Sequence, residues 1–405
     1  MIGRPTFPRR SAFVHRPRVS FAGEGGQRVI VDSHIYCFRA PDAPAGHPTA
    51  ADHMKLWQWG YALHHQPAYR TRDREPADSQ LLLDPAPDDP LRLATNRNFR
   101  VDRVTNRLIW TVDGEDCTKQ YLPPNVIEFR AGSAIAEMDY AGIDWALMHV
   151  DAALEKDVEY LASCVRAFPD RLRSMAPVDE WLIPTDPETA IRRATEAIEI
   201  HGLHAFKIIP EYAYRIAHCT SFDEPAWRPF WDAVTKLGVP IFFTLGASPG
   251  CTDPRQGFID ELWVLRRWME RYPEVLVSVT HGFPWRDFHD GDRFVLPEAM
   301  WGPFTDAPNL SIEVSFPIRI GDLLDYPWRE TWPVAEAMVD RIGPGRLLWG
   351  TDMPFQNRFC TYRQSRDYLE RYCTSFLAPA DMALLMGGTA ARILKLPVAE
   401  AASAG

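Results

Sequence analysis

Cysteine is scarce and poorly spaced for either of its usual structural roles. The 405 residues carry seven, at 37, 117, 164, 219, 251, 360 and 373, an odd number with no Cys-x-x-Cys pair. A disulfide framework or a thiolate zinc knuckle is therefore excluded as the organising element, and a cytoplasmic setting is expected. No run of about 18 apolar residues occurs, so no membrane span is expected. The basic stretch up to Phe21 lacks a long apolar core and a small-residue cleavage site, and is not read as a signal peptide. Positive charge is in deficit: 44 Lys+Arg face 54 Asp+Glu, a net charge of −10. That argues against nucleic acid or an anionic membrane as partner. No internal repeat or low-complexity tract is evident.

What is present describes an ordinary globular chain, 46% hydrophobic and 24% charged. Thirty-five prolines, 14 tryptophans and 21 phenylalanines point to long but ordered loops. Length alone allows two or three domains, although an α/β barrel with insertions reaches this size as one.

Eight short apolar runs stand out: RVIVDSH (28–34), WALMHV (145–150), LRSMAPV (172–178), LHAFKII (203–209), VPIFFTL (239–245), VLVSVTH (275–281), LSIEVSF (310–316) and LLWGTD (347–352). They are rich in β-branched and aromatic residues and nearly continuous in hydrophobicity, the pattern of parallel strands buried on both faces. Helical periodicity falls between them, over 154–168, 186–200 with Asp186 as N-cap and Pro187 at the first position, 224–238 ending at Gly238, and 255–273. A closing helix is expected over 379–396. Eight strands with intervening helices predict a (β/α)8 barrel. A doubly wound open sheet is disfavoured because no Gly-rich phosphate loop follows any strand.

The first two strands are separated by about 110 residues, far too many for an ordinary loop. The expected organisation is an arm (1–27), a barrel (28–396) with a lid or docking insert over 37–140, and a tail (397–405). Within the insert, a strand at RLIWTV, a turn at Asp113-Gly114 and a return predict a hairpin.

Polar residues cluster at three strand ends: Asp32-Ser33-His34-Ile35-Tyr36, Thr280-His281-Gly282 and Gly350-Thr351-Asp352-Met353-Pro354. A barrel gathers all strand ends on one rim, so His34, His281 and Asp352 can converge. Two imidazoles and a carboxylate suit zinc, iron or manganese.

The segments VDSHIY, VTHG, LLWGTDMPF and GGTAARILKL resemble the amidohydrolase superfamily. The branch is the amidohydrolase-related one that includes aminocarboxymuconate-semialdehyde and resorcylate-type decarboxylases. The resemblance covers about residues 28–36 and 141–396, and implies one divalent metal, zinc foremost with iron or manganese as alternatives. His34, His281 and Asp352 match its ligand positions. Asp352 would serve as general base, and His281 would ligate or stabilise developing negative charge.

Two positions depart from the family pattern. Tyr36 stands where a second first-strand histidine is usual, and Thr244 where the fifth strand carries one. Lys207, Glu211 and Glu180 are candidate substitutes, Lys207 either as a carbamylated bridge or as a clamp for a substrate carboxylate. Tyr36, Lys207, Thr244 and Trp285 form the expected substrate-binding set, with Trp57 and Trp59 also on an aromatic rim.

The resemblance implies hydrolysis or non-oxidative decarboxylation of a small carboxylic acid. An alternative is a subunit of a two-component iron- and oxygen-dependent hydroxylase of small α,α-dialkyl amino acids. A third is an inactive scaffold subunit. The expected assembly is a homo-oligomer, or a hetero-oligomer with a related chain. His64-His65 and Arg70, Arg72 and Arg74 read first as surface groups, and His149 as a packed core histidine.

Overall fold

The computed structural model describes residues 28–84, 90–124 and 126–397. The expected arm and nearly all of the tail, together with the centre of the acidic Pro-rich stretch, lie outside the described residues.

In chain order the strands are β1 (Val31–Tyr36), β2 (Ala68–Arg70), β3 (Pro76–Ala77), β4 (Arg100–Asp102), β5 (Arg107–Val112), β6 (Glu115–Lys119), β7 (Trp145–His149), β8 (Leu172–Ala176), β9 (Ala205–Ile208), β10 (Ile241–Phe243), β11 (Val277–Val279), β12 (Leu310–Val314) and β13 (Leu347–Trp349). Eight of them, β1 and β7 to β13, form one parallel sheet in sequential order. Beyond the last strand, Tyr36 N–H donates to Met353 O at 2.7 Å and Ser33 Oγ donates to Trp349 O at 2.9 Å, closing β13 onto β1. This is the (β/α)8 barrel read from the alternating runs. Every barrel run yields a strand because each is buried on both faces, against the barrel interior and the helices outside.

The helices follow their signals. Asp186 caps Pro187–Glu199 by accepting from Thr189 N, an interaction whose loss typically costs about 1 kcal/mol. The expected helix 224–238 is shorter and interrupted: Arg228–Val234 is α-helical, flanked by single 3-10 turns, and Gly238 ends it in the left-handed region at φ 66°. The closing helix 379–396 is broken too. A Cβ at Gly387 would lie 2.2 Å from Val29 O, so the helix is pressed against the start of β1 at a point only glycine tolerates.

The insert holds a helix, Ala50–Leu63, and an antiparallel sheet ordered β3-β2-β6-β5-β4, and a second helix, Ala131–Ala141, leads from it into β7. The expected hairpin is its β5–β6 pair, turning at Asp113 (φ 51°) and Gly114 (φ 83°), the two positive φ values of a type I′ turn. β2, β3 and β4 are too short to announce themselves by alternation. Among the described residues no helix is long and apolar enough to cross a membrane.

One buried acid outside the barrel mouth gives a pH test of the fold. Glu261, 2% exposed on the helix Pro254–Arg271, accepts from Ser248 Oγ at 3.0 Å and Tyr214 Oη at 3.1 Å. Burial pushes its pKa up from 4.5 to about 7. The folded protein therefore binds this proton more tightly than the unfolded chain. Stability is full below the unfolded value and declines as pH rises through 7. Glu261→Gln is expected to remove that loss, a gain of up to about 3 kcal/mol at pH 8 and almost none at pH 4. Melting temperatures of both proteins at the two pH values check it, and an equal difference at both would reject it.

Candidate metal centre

The first side chain of the site is aimed by an irregularity in β1. Asp32 pairs with Ala146 but Ile35 with Met148, so three steps on β1 oppose two on β7. This bulge lies at Ser33-His34 and re-aims the strand end. His34 and Tyr36 sit two apart, and Tyr36 Oη lies 3.2 Å from His34 Nε2. Asp32 holds the turn after β13: it accepts from Thr351 Oγ1 at 2.5 Å, Thr351 N at 3.1 Å and Tyr362 Oη at 2.6 Å.

His281 and Asp352 both occupy left-handed backbone, at φ 62° and 63°. Such conformations are costly for residues with a Cβ and persist only where surrounding bonds enforce them. Here His281 N donates to Glu313 Oε2 at 2.6 Å, and Asp352 N donates to His34 O at 2.8 Å.

The result is convergence. Asp352 Oδ1 lies 3.3 Å from His34 Nε2 and 3.5 Å from His281 Nε2. Ligands about 2.0–2.1 Å from a tetrahedral ion are separated by about 3.3–3.4 Å. Both Asp352 distances match such an edge, and the three ligand atoms all lie within 4.8 Å of one another. His34, His281 and Asp352, expected from the strand ends alone, are brought together from positions 34 to 352.

Glu313, which sequence reading missed, sits behind this face. It is fully buried in β12. Its Oε2 accepts from His34 Nδ1 at 2.8 Å, and its Oε1 accepts from Ser33 Oγ at 3.2 Å. With an Nδ1 proton held by Glu313, Nε2 is the atom left to face the shared position, where its proton bonds Asp352 and where its lone pair would take up a cation in place of that proton, an arrangement common behind metal-binding histidines. The available signal was an acid in the middle of the otherwise apolar run LSIEVSF. His149 stacks on His34 with centroids 3.5 Å apart and bonds Ser33 O through Nε2 at 2.8 Å. It is buried and packed, but next to the centre rather than remote from it.

Electrostatics favour cation binding. Burial opposes ionisation of Asp352, yet the hydrogen bonds from His281 and His34 outweigh it and hold its pKa far below the usual carboxylate range. Burial, helped by the His34 charge, lowers His281 to about 3, leaving a neutral imidazole at pH 7. Burial acts to lower His34, but Glu313 and Asp352 together raise it above its ordinary value.

The substrate-binding set divides. Lys207, 2% exposed, reaches Tyr36 Oη at 2.7 Å and also faces the ring. Burial lowers the Lys207 pKa and drives the Tyr36 pKa well above its usual value. This pair borders the centre. Thr244 Oγ1 bonds Thr280 Oγ1 at 2.6 Å, so the fifth barrel strand offers a hydroxyl already engaged.

Trp285 is a correction. It is fully buried among Phe283, Phe288, Phe294 and Phe316 and packs the core beneath the loop rather than lining the mouth. Trp57 is buried as well, donating to His53 Nε2. Glu211 pairs with Arg215 outside the centre, and Glu180 accepts from Ile209 N. Arg70 and Arg72 make surface ion pairs with Asp73 and Glu115. His64 and His65 stack on each other, and Gln66 beside them bonds Asp322 at 3.0 Å, tying the insert to the barrel loops.

A closed parallel barrel with imidazoles and a carboxylate meeting at the carboxyl ends of its strands is the frame of a metal-assisted enzyme. The chain belongs to the amidohydrolase family, whose model matches residues 123–396. An L-fucono-1,5-lactonase from Burkholderia multivorans is 39% identical over 62 residues, 15% of this chain and 21% of that protein. The chain thus matches about a fifth of the length of that curated relative. Among solved structures, a dihydroxybenzoic acid decarboxylase from Polaromonas sp. JS666, with bound manganese and 2-nitroresorcinol, is 20% identical (TM-score 0.48, 68% of this chain, 89% of that one). The 5-carboxyvanillate decarboxylase of Sphingomonas paucimobilis is 18% identical (TM-score 0.47, 67% and 84%).

Proposed function

We propose that this protein is a divalent-metal enzyme that hydrolyses or decarboxylates a small carboxylic acid. One observation carries the reading: Asp352 Oδ1 stands 3.3 Å from Nε2 of His34, whose ring Glu313 holds from behind, and 3.5 Å from Nε2 of His281. A divalent ion held there, zinc by preference and manganese or iron otherwise, supplies a water acidified towards pKa ~7 and polarises a carbonyl or carboxylate. Asp352 contributes Oδ1 to the centre and uses Oδ2 to accept or return a proton. Lys207 and the Tyr36 hydroxyl bind the substrate carboxylate from the other side and orient it. His281, neutral at pH 7, serves as ligand rather than acid.

The departures at Tyr36 and Thr244 favour a second reading, a subunit of an iron- and oxygen-dependent hydroxylase in which a related chain carries the fuller ligand set. Seven cysteines, unpaired among the described residues, support a cytoplasmic location. We place the protein there as a homo-oligomer, or paired with such a chain.

Emission spectroscopy after mild purification, with the mass in solution, tests these readings. About one zinc or manganese per chain in a homo-oligomer, reduced in both His34→Ala and His281→Ala, is the expected result. Full occupancy in both variants would reject the ligand set. Iron that appears only with a co-purifying related chain would transfer the assignment to the hydroxylase. A metal-free preparation that takes up no added ion would point to a scaffold. Metal loading is also expected to raise the melting temperature, since a ligand bound only by the folded state stabilises it.

A further inference from the structure

A cavity where β7, β8 and β9 end has a volume of about 10 Å3 and is lined by Asp151, Lys156, Glu180 and Lys207 among apolar neighbours. That is the room one water, or one carbonyl oxygen, needs. The two lysines on it differ. Lys156 is paired with Asp179 at 2.5 Å. Lys207 is 2% exposed and has no carboxylate within 4 Å among the described residues. Its hydrogen bond goes to Tyr36 Oη at 2.7 Å. Lys119, buried as well, donates instead to Tyr61 O, His64 O and Ser79 Oγ. A neutral amine at Lys207 therefore keeps one N–H and its lone pair free for chemistry.

The acids on the cavity are fixed by other groups. Asp151 Oδ1 accepts from Tyr212 Oη and from Ala153 N, both at 2.8 Å, which leaves Oδ2 without a hydrogen-bond partner among the described residues. Glu180 Oε1 accepts from Ile209 N at 2.7 Å. Burial lowers the Lys207 pKa while nearby carboxylates, Asp151 first, act to raise it. Burial also pushes Glu180 well above the usual carboxylate value, which favours a protonated, hydrogen-bond-donating carboxyl. Acids beside a lysine repel a bound carboxylate but stabilise a cation formed on the nitrogen. Desolvated lysines of this kind are activated nucleophiles towards carbonyl groups.

We propose that Lys207 forms an imine with the carbonyl of a small 3-oxo acid, whose carbonyl oxygen enters this cavity, and that Asp151 moves the protons. The ammonium first draws the carboxylate in. It then gives one proton to Asp151, and the nitrogen attacks the carbonyl carbon while the C=O electron pair passes to oxygen, with Glu180 donating a hydrogen bond to that oxygen. Asp151 returns its proton to the oxygen, a second proton follows from nitrogen, and water departs, leaving an iminium that keeps the third. As CO2 leaves, the electron pair of the broken C–C bond flows towards the iminium nitrogen. The resulting enamine carbon takes up a proton, and water hydrolyses the imine. Only a 3-oxo acid places its carboxylate on the carbon next to the iminium carbon, where that flow is possible. This goes beyond the metal-centre reading: the clamp is kept as the first step, and the imine itself needs no metal.

The test is treatment of the full-length protein, metal-loaded and chelator-treated, with acetoacetate and sodium borohydride. Peptide mass mapping and CO2 release above the spontaneous rate are the readouts. An isopropyl group on Lys207 is expected in both preparations, in at least tenfold excess over the exposed Lys55, Lys236 and Lys395. Asp151→Asn is expected to slow labelling about a hundredfold, the loss of a positioned proton carrier. Lys207→Arg, which keeps the cation, and Lys207→Met, which keeps the bulk, are both expected to lose the label and the CO2 release while retaining the wild-type circular dichroism spectrum. No label, or a label spread evenly over the exposed lysines, would overturn the imine. A label on Lys207 without accelerated CO2 release would overturn the 3-oxo acid as substrate. Metal content read on the same samples keeps the two readings apart: metal bound without a label leaves the centre standing and removes this inference, and a label with no metal bound does the reverse.

Discussion

Replacing Asp352 with asparagine is expected to abolish turnover, by about a thousandfold or more, while the barrel stays folded. The fold tolerates the change for two reasons. Asparagine is nearly isosteric, and it is among the few residues with a Cβ that accept the left-handed backbone required here, φ 63°. The bond from residue 352 N to His34 O uses the main chain and survives. The chemistry does not survive. The amide has no negative charge to offer a cation and cannot take up a proton near neutral pH. A lost general base alone costs about 10²–10⁴ in rate, and weakened metal binding adds to that. The measurements are turnover, metal content and thermal melting on one preparation. Retained turnover would remove Asp352 from the mechanism, and a collapsed melting temperature would show that the residue is mainly structural.

The sequence expresses the barrel far more openly than the site. A parallel strand between the barrel interior and a helix layer needs apolar residues on both faces, so VPIFFTL or VLVSVTH reads as a strand without ambiguity. His34, His281 and Asp352 are legible for a related reason: a polar residue directly after such a run has crossed from the packed interior to the rim.

Glu313 was hidden by the same logic. It lies inside a strand, where a single acid among apolar neighbours looks like an exception to the pattern, and its role depends on partners at positions 33, 34 and 281. Trp285 fails in the opposite direction. Its place in the loop after His281 suggests the mouth, whereas four phenylalanines remote in sequence or adjacent in the loop enclose it. The break in the closing helix at Gly387 likewise depends on Val29, more than 350 residues earlier.

The second large effect is expected at Glu313, which touches no substrate. Its Oε2 accepts both the His34 Nδ1 proton and the His281 main-chain N–H, so one oxygen sets the tautomer of one candidate ligand and the backbone of another. Glu313→Gln keeps the volume and one acceptor oxygen but removes the charge. The amide oxygen is a weaker acceptor, His34 becomes a weaker donor of its Nε2 lone pair, and the strained backbone at His281 loses part of its support. Loss of such a supporting partner typically lowers metal affinity about 10–100-fold. Glu313→Ala leaves the His34 and His281 N–H groups buried and unpaired, and is expected to destabilise the fold by about 3–5 kcal/mol as well. Chelator competition for the metal, run beside denaturant unfolding of the metal-free protein, separates the two effects. Glu313→Gln should move the first measurement much more than the second. Unaltered metal affinity in that variant would mean that His34 is oriented without Glu313, and that the carboxylate behind the centre serves packing alone.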